Sequence, residues 1–208
     1  MIVYGSSLSP FVRKTLTFIG EKGLSAEHVP LRPHAELPAF RATSPLGRIP
    51  GFADGDYKLA DSSAICHYLE RKYPTPALFP ARAEDVGRML WFEEFSDTVL
   101  IPASGKVFFQ LRVRPALLKQ PPDMAIVDQA LTKELPPLLD YLEHQVSGPF
   151  LVGGALSLAD IAIHCSFVNL KIAGHPLDAA RWPKLGGYVA GLLARPAFAR
   201  VTDPKPAA

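Results

Sequence analysis

A change of pattern near residue 80 constrains this chain more than any other feature. Before it, short apolar segments alternate with amphipathic ones, while from Glu84 onward strand signals largely vanish and helical spacing takes over. A chain of 208 residues is long enough for two small domains that each bury a core. The expected division is an α/β domain over 1–78, a linker over 79–84 and an all-helical domain over 85–208.

In the first part, Ile2 to Gly5 reads as a strand. The amphipathic run after it carries Phe11, Leu16 and Ile19 near one face and stops at Gly23, as a C-terminal glycine should. A second strand fits Glu27 to Leu31. After a Pro-rich connection and a short helical turn at Ala39 to Ala42, Ile49 to Phe52 leads into the hairpin signal Asp54-Gly55 and then Tyr57 to Leu59. A capped helix spans Asp61-Ser62 to Tyr73. This order builds a mixed four-stranded sheet with flanking helices. Pro74, Pro76 and Pro80 end the pattern, and helices are expected over Glu84 to Val99, Lys106 to Leu118, Ala125 to His144, Leu158 to Ile172 and Leu185 to Ala194.

Two helix starts carry polar residues of interest. Pro10 suits a first helical position, so Ser9 falls on the N-cap, where free N–H groups and the positive dipole end converge. Ser9 is thus either a plain cap or part of an anion site. Ser157 with Asp160 forms a capping box, stapled by Leu156 and Ile161, and its role is folding.

The net charge of +2 is spread evenly and argues against a nucleic-acid partner. No apolar stretch approaches the roughly 20 residues of a membrane span, and no export signal is evident, so no membrane role and a cytoplasmic location are expected. Cys66 and Cys165 lie far apart outside any C-x-x-C pair and read as core residues. His67 and Glu70 form an isolated i, i+3 helix pair, and no metal site is expected.

Four motifs in order, Tyr4-Gly5 with Ser9-Pro10-Phe11 and Arg13, Pro45 to Pro50, Asp61-Ser62, and Ser157 to Asp160, resemble those of the cytosolic glutathione transferases. The likeness runs nearly end to end and implies a thioredoxin-like first half. It implies Ser9 as the catalytic hydroxyl, and Phe11, Arg48, Ile49, Pro50, Asp61 and Ser62 as glutathione-binding positions. Ile49 would offer backbone N–H and C=O groups to the cysteinyl part, before a cis Pro50. Ser62 and adjacent N–H groups would hold the γ-glutamyl carboxylate, and Asp61 would face the ammonium. Ser6, Ser7 and Tyr4 are rival hydroxyls, though Tyr4 is expected to pack within the first strand and Ser6 and Ser7 to satisfy loop backbone.

The implied activity is addition of glutathione to a small hydrophobic electrophile, with glutathione-dependent isomerisation or dehalogenation and a non-catalytic interaction scaffold as alternatives. Phe11, Phe92, Phe95 and Phe108 are candidates for the electrophile pocket, although aromatic residues at helical spacing more often form core, and core is the favoured reading for this segment. A homodimer is implied as well.

Overall fold

A computed structural model describes residues 1–202 of the chain. The described residues fall into two compact units, Met1–Phe79 together with the segment from Arg195 onward, and Pro80–Ala194.

In the first unit, β1 (Ile2–Tyr4) is followed by α1 (Pro10–Glu21), β2 (Glu27–Val29), α2 (Pro38–Thr43), β3 (Gly51–Asp54), β4 (Tyr57–Ala60) and α3 (Ser62–Lys72). The strands order β2-β1-β3-β4, with β1 and β2 parallel and the other two pairings antiparallel. This is the mixed sheet expected from the sequence. Pairing of Val3 with Phe52 places two fully buried side chains at the sheet centre, with Val12 and Phe18 of α1 and Ile65 and Leu69 of α3 also excluded from solvent.

The hairpin differs in detail from expectation. Asp54 ends β3, the two-residue loop is Gly55-Asp56, and Gly55 alone of the pair takes a positive φ, +60°. Glycine at the first central position is what a type II′ turn demands, so the operative pair is Gly-Asp rather than Asp-Gly. Glu70 also departs from its expected partner. Its carboxylate pairs with the buried Lys22 and accepts the N–H groups of Leu78 and Phe79 at 3.2 and 3.3 Å, while Lys22 Nζ donates to the carbonyls of Tyr73 and Pro76. The end of α1 is thereby tied to the Pro-rich chain that follows α3. His67 instead sets its ring edge-on to Phe79 at 4.7 Å.

The second unit contains α4 (Ala83–Phe95), α5 (Ile101–Phe108), α6 (Met124–Gln129), α7 (Leu135–Gln145), α8 (Leu158–Ile172) and α9 (Pro183–Leu193). The break expected between Val99 and Lys106 is absent. Helical chain runs from Ala83 to Leu118 through π-helical turns at Ser96–Leu100 and Phe109–Leu118, and a third such turn, Ala130–Glu134, joins α6 to α7. Pro102, Pro115 and Pro136 lie in or just after these wide turns, and each lacks the N–H that would bond the carbonyl one turn back. Proline therefore widens the helix here without ending it.

Helix α8 spans the same residues that the sequence pattern predicts, Leu158–Ile172, and nearly all of it is buried on every side. A short helix, α10 (Pro196–Ala199), was not anticipated and belongs to the first unit. Cys66 and Cys165 are buried. Among the described residues, no helix is long and apolar enough to cross a membrane.

Candidate active site

The loop from Gly5 to Ser9 turns the chain from the sheet into α1. Ser9 is the N-cap, with extended backbone angles of φ −70° and ψ 127°, and its Oγ accepts the Val12 N–H at 3.5 Å. Its own N–H donates to the Ser6 carbonyl at 2.9 Å, and its carbonyl accepts from Arg13 N at 3.0 Å. A hydroxyl oxygen that accepts one N–H keeps its proton to give away.

The rival hydroxyls are placed differently. Ser6 and Ser7 are buried, and Ser6 Oγ accepts the Leu8 N–H at 3.3 Å. Tyr4 is also buried, its ring centroid 6.2 Å from that of Phe40. Gly5 is required where the loop passes the next segment, because a Cβ there would sit 2.6 Å from Val12 Cγ2 and 2.8 Å from Ile49 Cβ, at a φ of +138°.

Ile49 lies beside that loop, and the Ile49–Pro50 peptide bond is cis. The Arg48 carbonyl is taken by Ser44 Oγ at 2.7 Å. From there the chain enters β3, turns, and returns along β4 to Asp61, the N-cap of α3. Asp61 has φ 79° and ψ 128°, a region that costs a non-glycine residue on the order of 1–3 kcal/mol. Its Oδ1 accepts the N–H groups of Ser63 and Ala64 at 2.9 and 3.0 Å. Those N–H groups are therefore occupied by Asp61 itself. Ser62 is buried behind it, and Lys14 Nζ donates to Ser63 Oγ at 3.0 Å, linking α1 to the start of α3.

Two helix N-termini thus open on one cavity of about 640 Å³. Ser9, Phe11, Arg48, Ile49, Pro50, Asp61 and Ser62, all seven positions singled out in the sequence, line it. Pro33, Ser44, Pro45, Leu46 and Ala60 complete the wall. Pro33, Ser44 and Ala60 were missed, the first because the 32–34 loop has no periodic signal, the second because it follows a short helical turn and the third because it ends a strand. The volume falls within the ~300–1,000 Å³ typical of small-molecule sites, and dipoles from α1 and α3 favour negative charge in it.

The aromatic residues proposed for an electrophile pocket in the second half do not behave as one. Phe92, Phe95 and Phe108 are buried, and Phe92 and Phe95 pack on the Tyr141 ring at 6.4 and 5.2 Å. Their helical spacing reports the core of the second unit.

Comparison with known proteins assigns the chain to a family. The family signature of the glutathione S-transferase N-terminal domain matches residues 3–77, and that of the C-terminal domain matches residues 117–201. Glutathione S-transferase 3 of Zea mays is 37% identical over 206 residues, covering 94% of this chain and 90% of the relative. The chain belongs to the glutathione S-transferase family.

The likeness extends to solved glutathione S-transferases. Glutathione S-transferase III in its apo form superposes with a TM-score of 0.82 at 33% identity, covering 99% of both chains. Glutathione S-transferase I from maize, in complex with an atrazine glutathione conjugate, superposes at 0.86 with 26% identity, covering 97% of this chain and 95% of the other. The thioredoxin-like sheet and the helical second unit are the glutathione S-transferase fold, and this member is an enzyme that acts with glutathione.

Proposed function

We propose that the Ser9 hydroxyl donates a hydrogen bond to the glutathione sulfur, holds it as thiolate, and so drives its addition to a small hydrophobic electrophile. The observation carrying this reading is the position of Ser9 at the mouth of α1, on the cavity wall, with its oxygen already accepting an N–H and its proton spare. Ser6 and Ser7 are buried, which favours Ser9 over them.

The chemistry needs an anion, because a free thiol has a pKa of about 8.5 and reacts as thiolate. Lowering that value by two units corresponds to roughly 2.7 kcal/mol. A hydrogen bond to an ionised group contributes about 1.5–3 kcal/mol and a helix N-terminus ~0.3–1 kcal/mol. One hydroxyl and one dipole therefore suffice, with no triad partner. The thiolate then attacks an electrophilic carbon; the C–S bond forms, and from an aryl halide the halide leaves with its bonding electrons.

The remaining positions divide the tripeptide between them. Ile49 offers backbone groups to the cysteinyl unit. Ser62, with its N–H at the start of α3, receives the γ-glutamyl carboxylate, and Asp61 faces the ammonium while its Oδ1 keeps the first turn capped. Phe11 and the exposed Leu46 present apolar surface beside the sulfur position, in keeping with the atrazine glutathione conjugate in the maize relative. A cytoplasmic homodimer is part of the same reading.

Titration of the bound thiol by its thiolate absorbance, in wild type and Ser9→Ala, tests the proposal together with turnover of a generic aryl halide. The wild-type thiol titrates well below its free value and the variant's returns toward it. An unshifted wild-type thiol, or a shift that survives Ser9→Ala, overturns the serine role.

A further inference from the structure

Resting on the serine reading of the site, we propose that Arg13 is a positioning residue, through which the C-terminal segment Arg195 to Val201 sets the placement of the Ser9 hydroxyl.

Arg13 lies one turn into α1 and is fully buried, an unusual location for a guanidinium that requires carbonyl or carboxylate partners. Its Nη2 donates to the Ser7 carbonyl at 2.9 Å and its Nε to the Val201 carbonyl at 3.2 Å. The planar fork thus bridges the active-site loop and a segment 188 residues away in sequence. Through its backbone N–H the same residue holds the Ser9 carbonyl at 3.0 Å, and Ser9 N–H closes onto Ser6 at 2.9 Å. Residues 6–9 are consequently gripped from both sides, by α1 itself and by a side chain that also bonds the C-terminal segment.

That segment is well seated on α1. Arg195 makes a two-pronged ion pair with Glu21, Nε to Oε1 at 3.1 Å and Nη2 to Oε2 at 2.6 Å. Ala197 and Phe198 of α10 are buried, and the backbone comes so close at Gly20 that a Cβ there would meet Ala197 Cβ at 2.8 Å. Gly20 is therefore the contact that lets α10 lie down on α1, and Val201 follows within one turn of it. A displaced α10 carries the Val201 carbonyl with it, and the guanidinium can no longer satisfy both carbonyls at once. Lysine is a poor substitute, because its ammonium on a flexible stem does not hold two acceptors in the fixed plane of the guanidinium fork.

A hydrogen bond to a thiolate depends steeply on geometry, so a shift of the loop by a fraction of an ångström reaches the sulfur. Glutathione affinity depends on contacts elsewhere along the cavity and is spared.

Arg13→Lys and Gly20→Ala, made in the full chain, test this against wild type and Ser9→Ala. Both variants raise the bound-thiol pKa by about half a unit to one unit, and lower turnover at neutral pH by about 3- to 10-fold, with the KM for glutathione changed less than about twofold. A purely structural role lowers the thermal midpoint without moving the thiol titration. Circular dichroism establishes which variants fold, and Gly20→Ala, a wedge under α10 that keeps Arg13 intact, decides the matter if Arg13→Lys does not. A wild-type thiol titration in either folded variant, while Ser9→Ala shifts it, overturns the positioning role. Failure of Ser9→Ala to shift it overturns the serine reading instead.

Discussion

Two helix starts in this protein use the same polar residues for different ends. At α1, Ser9 is half-buried, accepts one N–H at 3.5 Å, and borders a cavity. At α8, Ser157 and Asp160 are buried and fully engaged. Asp160 Oδ2 accepts the Ser157 N–H at 2.9 Å and its hydroxyl at 3.2 Å, while Oδ1 accepts the Leu151 N–H and the Tyr188 hydroxyl, both at 2.9 Å. A cap whose groups are all partnered within the fold is a structural element. A cap that keeps a spare proton beside a cavity is free to act on a ligand. Asp61 lies between these cases, with one carboxylate oxygen capping α3 and the residue exposed on the cavity wall.

The comparison is broken most directly at Asp160. Asp160→Ala strands four donors in a buried site and is expected to cost about 3–4 kcal/mol of stability, read by denaturant unfolding. Burial, more than any other influence, pushes the Asp160 carboxyl above its ordinary value, and it pushes the Tyr188 hydroxyl up as well. The folded state therefore binds a proton more readily than the unfolded chain. Stability falls as pH rises through the window between the ordinary carboxylate value and the raised one. Asp160→Asn removes that slope while placing an amide donor against the Ser157 N–H, so it is less stable than wild type yet flatter with pH, as unfolding midpoints from pH 3 to 7 report.

Next in size is Ser9→Ala, whose effect falls on chemistry. Turnover drops by about 10²-fold, corresponding to ~2.7 kcal/mol, whereas unfolding changes by about 1 kcal/mol or less for a lost cap. Equal losses of stability at Ser9 and Asp160 would erase the distinction drawn above. Asp61→Ala sharpens it, since it removes a cap and a proposed ligand contact together. Its KM for glutathione rises about tenfold and its stability falls by about 1 kcal/mol, read by steady-state kinetics and thermal unfolding.

The smallest effect is expected at the exposed end of α3. There Lys72 Nζ donates to Asp54 Oδ2 at 2.6 Å, holding the Asp54 carboxyl below its usual value and the Lys72 ammonium above its own. The lowered carboxyl adds stability above its ordinary value that is lost as pH falls through the lowered one. Lys72→Met is expected to leave neutral-pH unfolding nearly unchanged, because exposed pairs are screened by solvent.

Much of this was legible in the amino acids because it is local. Pro10 after Ser9, Gly55 in the hairpin and Ser157 with Asp160 each specify backbone geometry within four residues. The continuous helix across Pro102 was not legible, since a proline there reads as a stop while packing against α8 accommodates a π turn instead. Phe92, Phe95 and Phe108 could be read as core or pocket from the sequence for a related reason. A three-to-four-residue aromatic spacing looks the same whether the face meets solvent, ligand or core. Residues 32–34 and the α10 segment carried no period at all, and their places come from contacts distant in sequence.

By itself the sequence determined the alternation of strands and helices in the first unit and the capped helix starts, because each follows from short-range sterics and hydrogen bonding, while the positions around the cavity came from the motifs shared with a known family. Only the tertiary structure decided which of those caps is open and which is sealed, and that a C-terminal carbonyl reaches Arg13 beside the Ser9 loop. Burial and the partnering of polar groups depend on segments that meet only when the chain has folded.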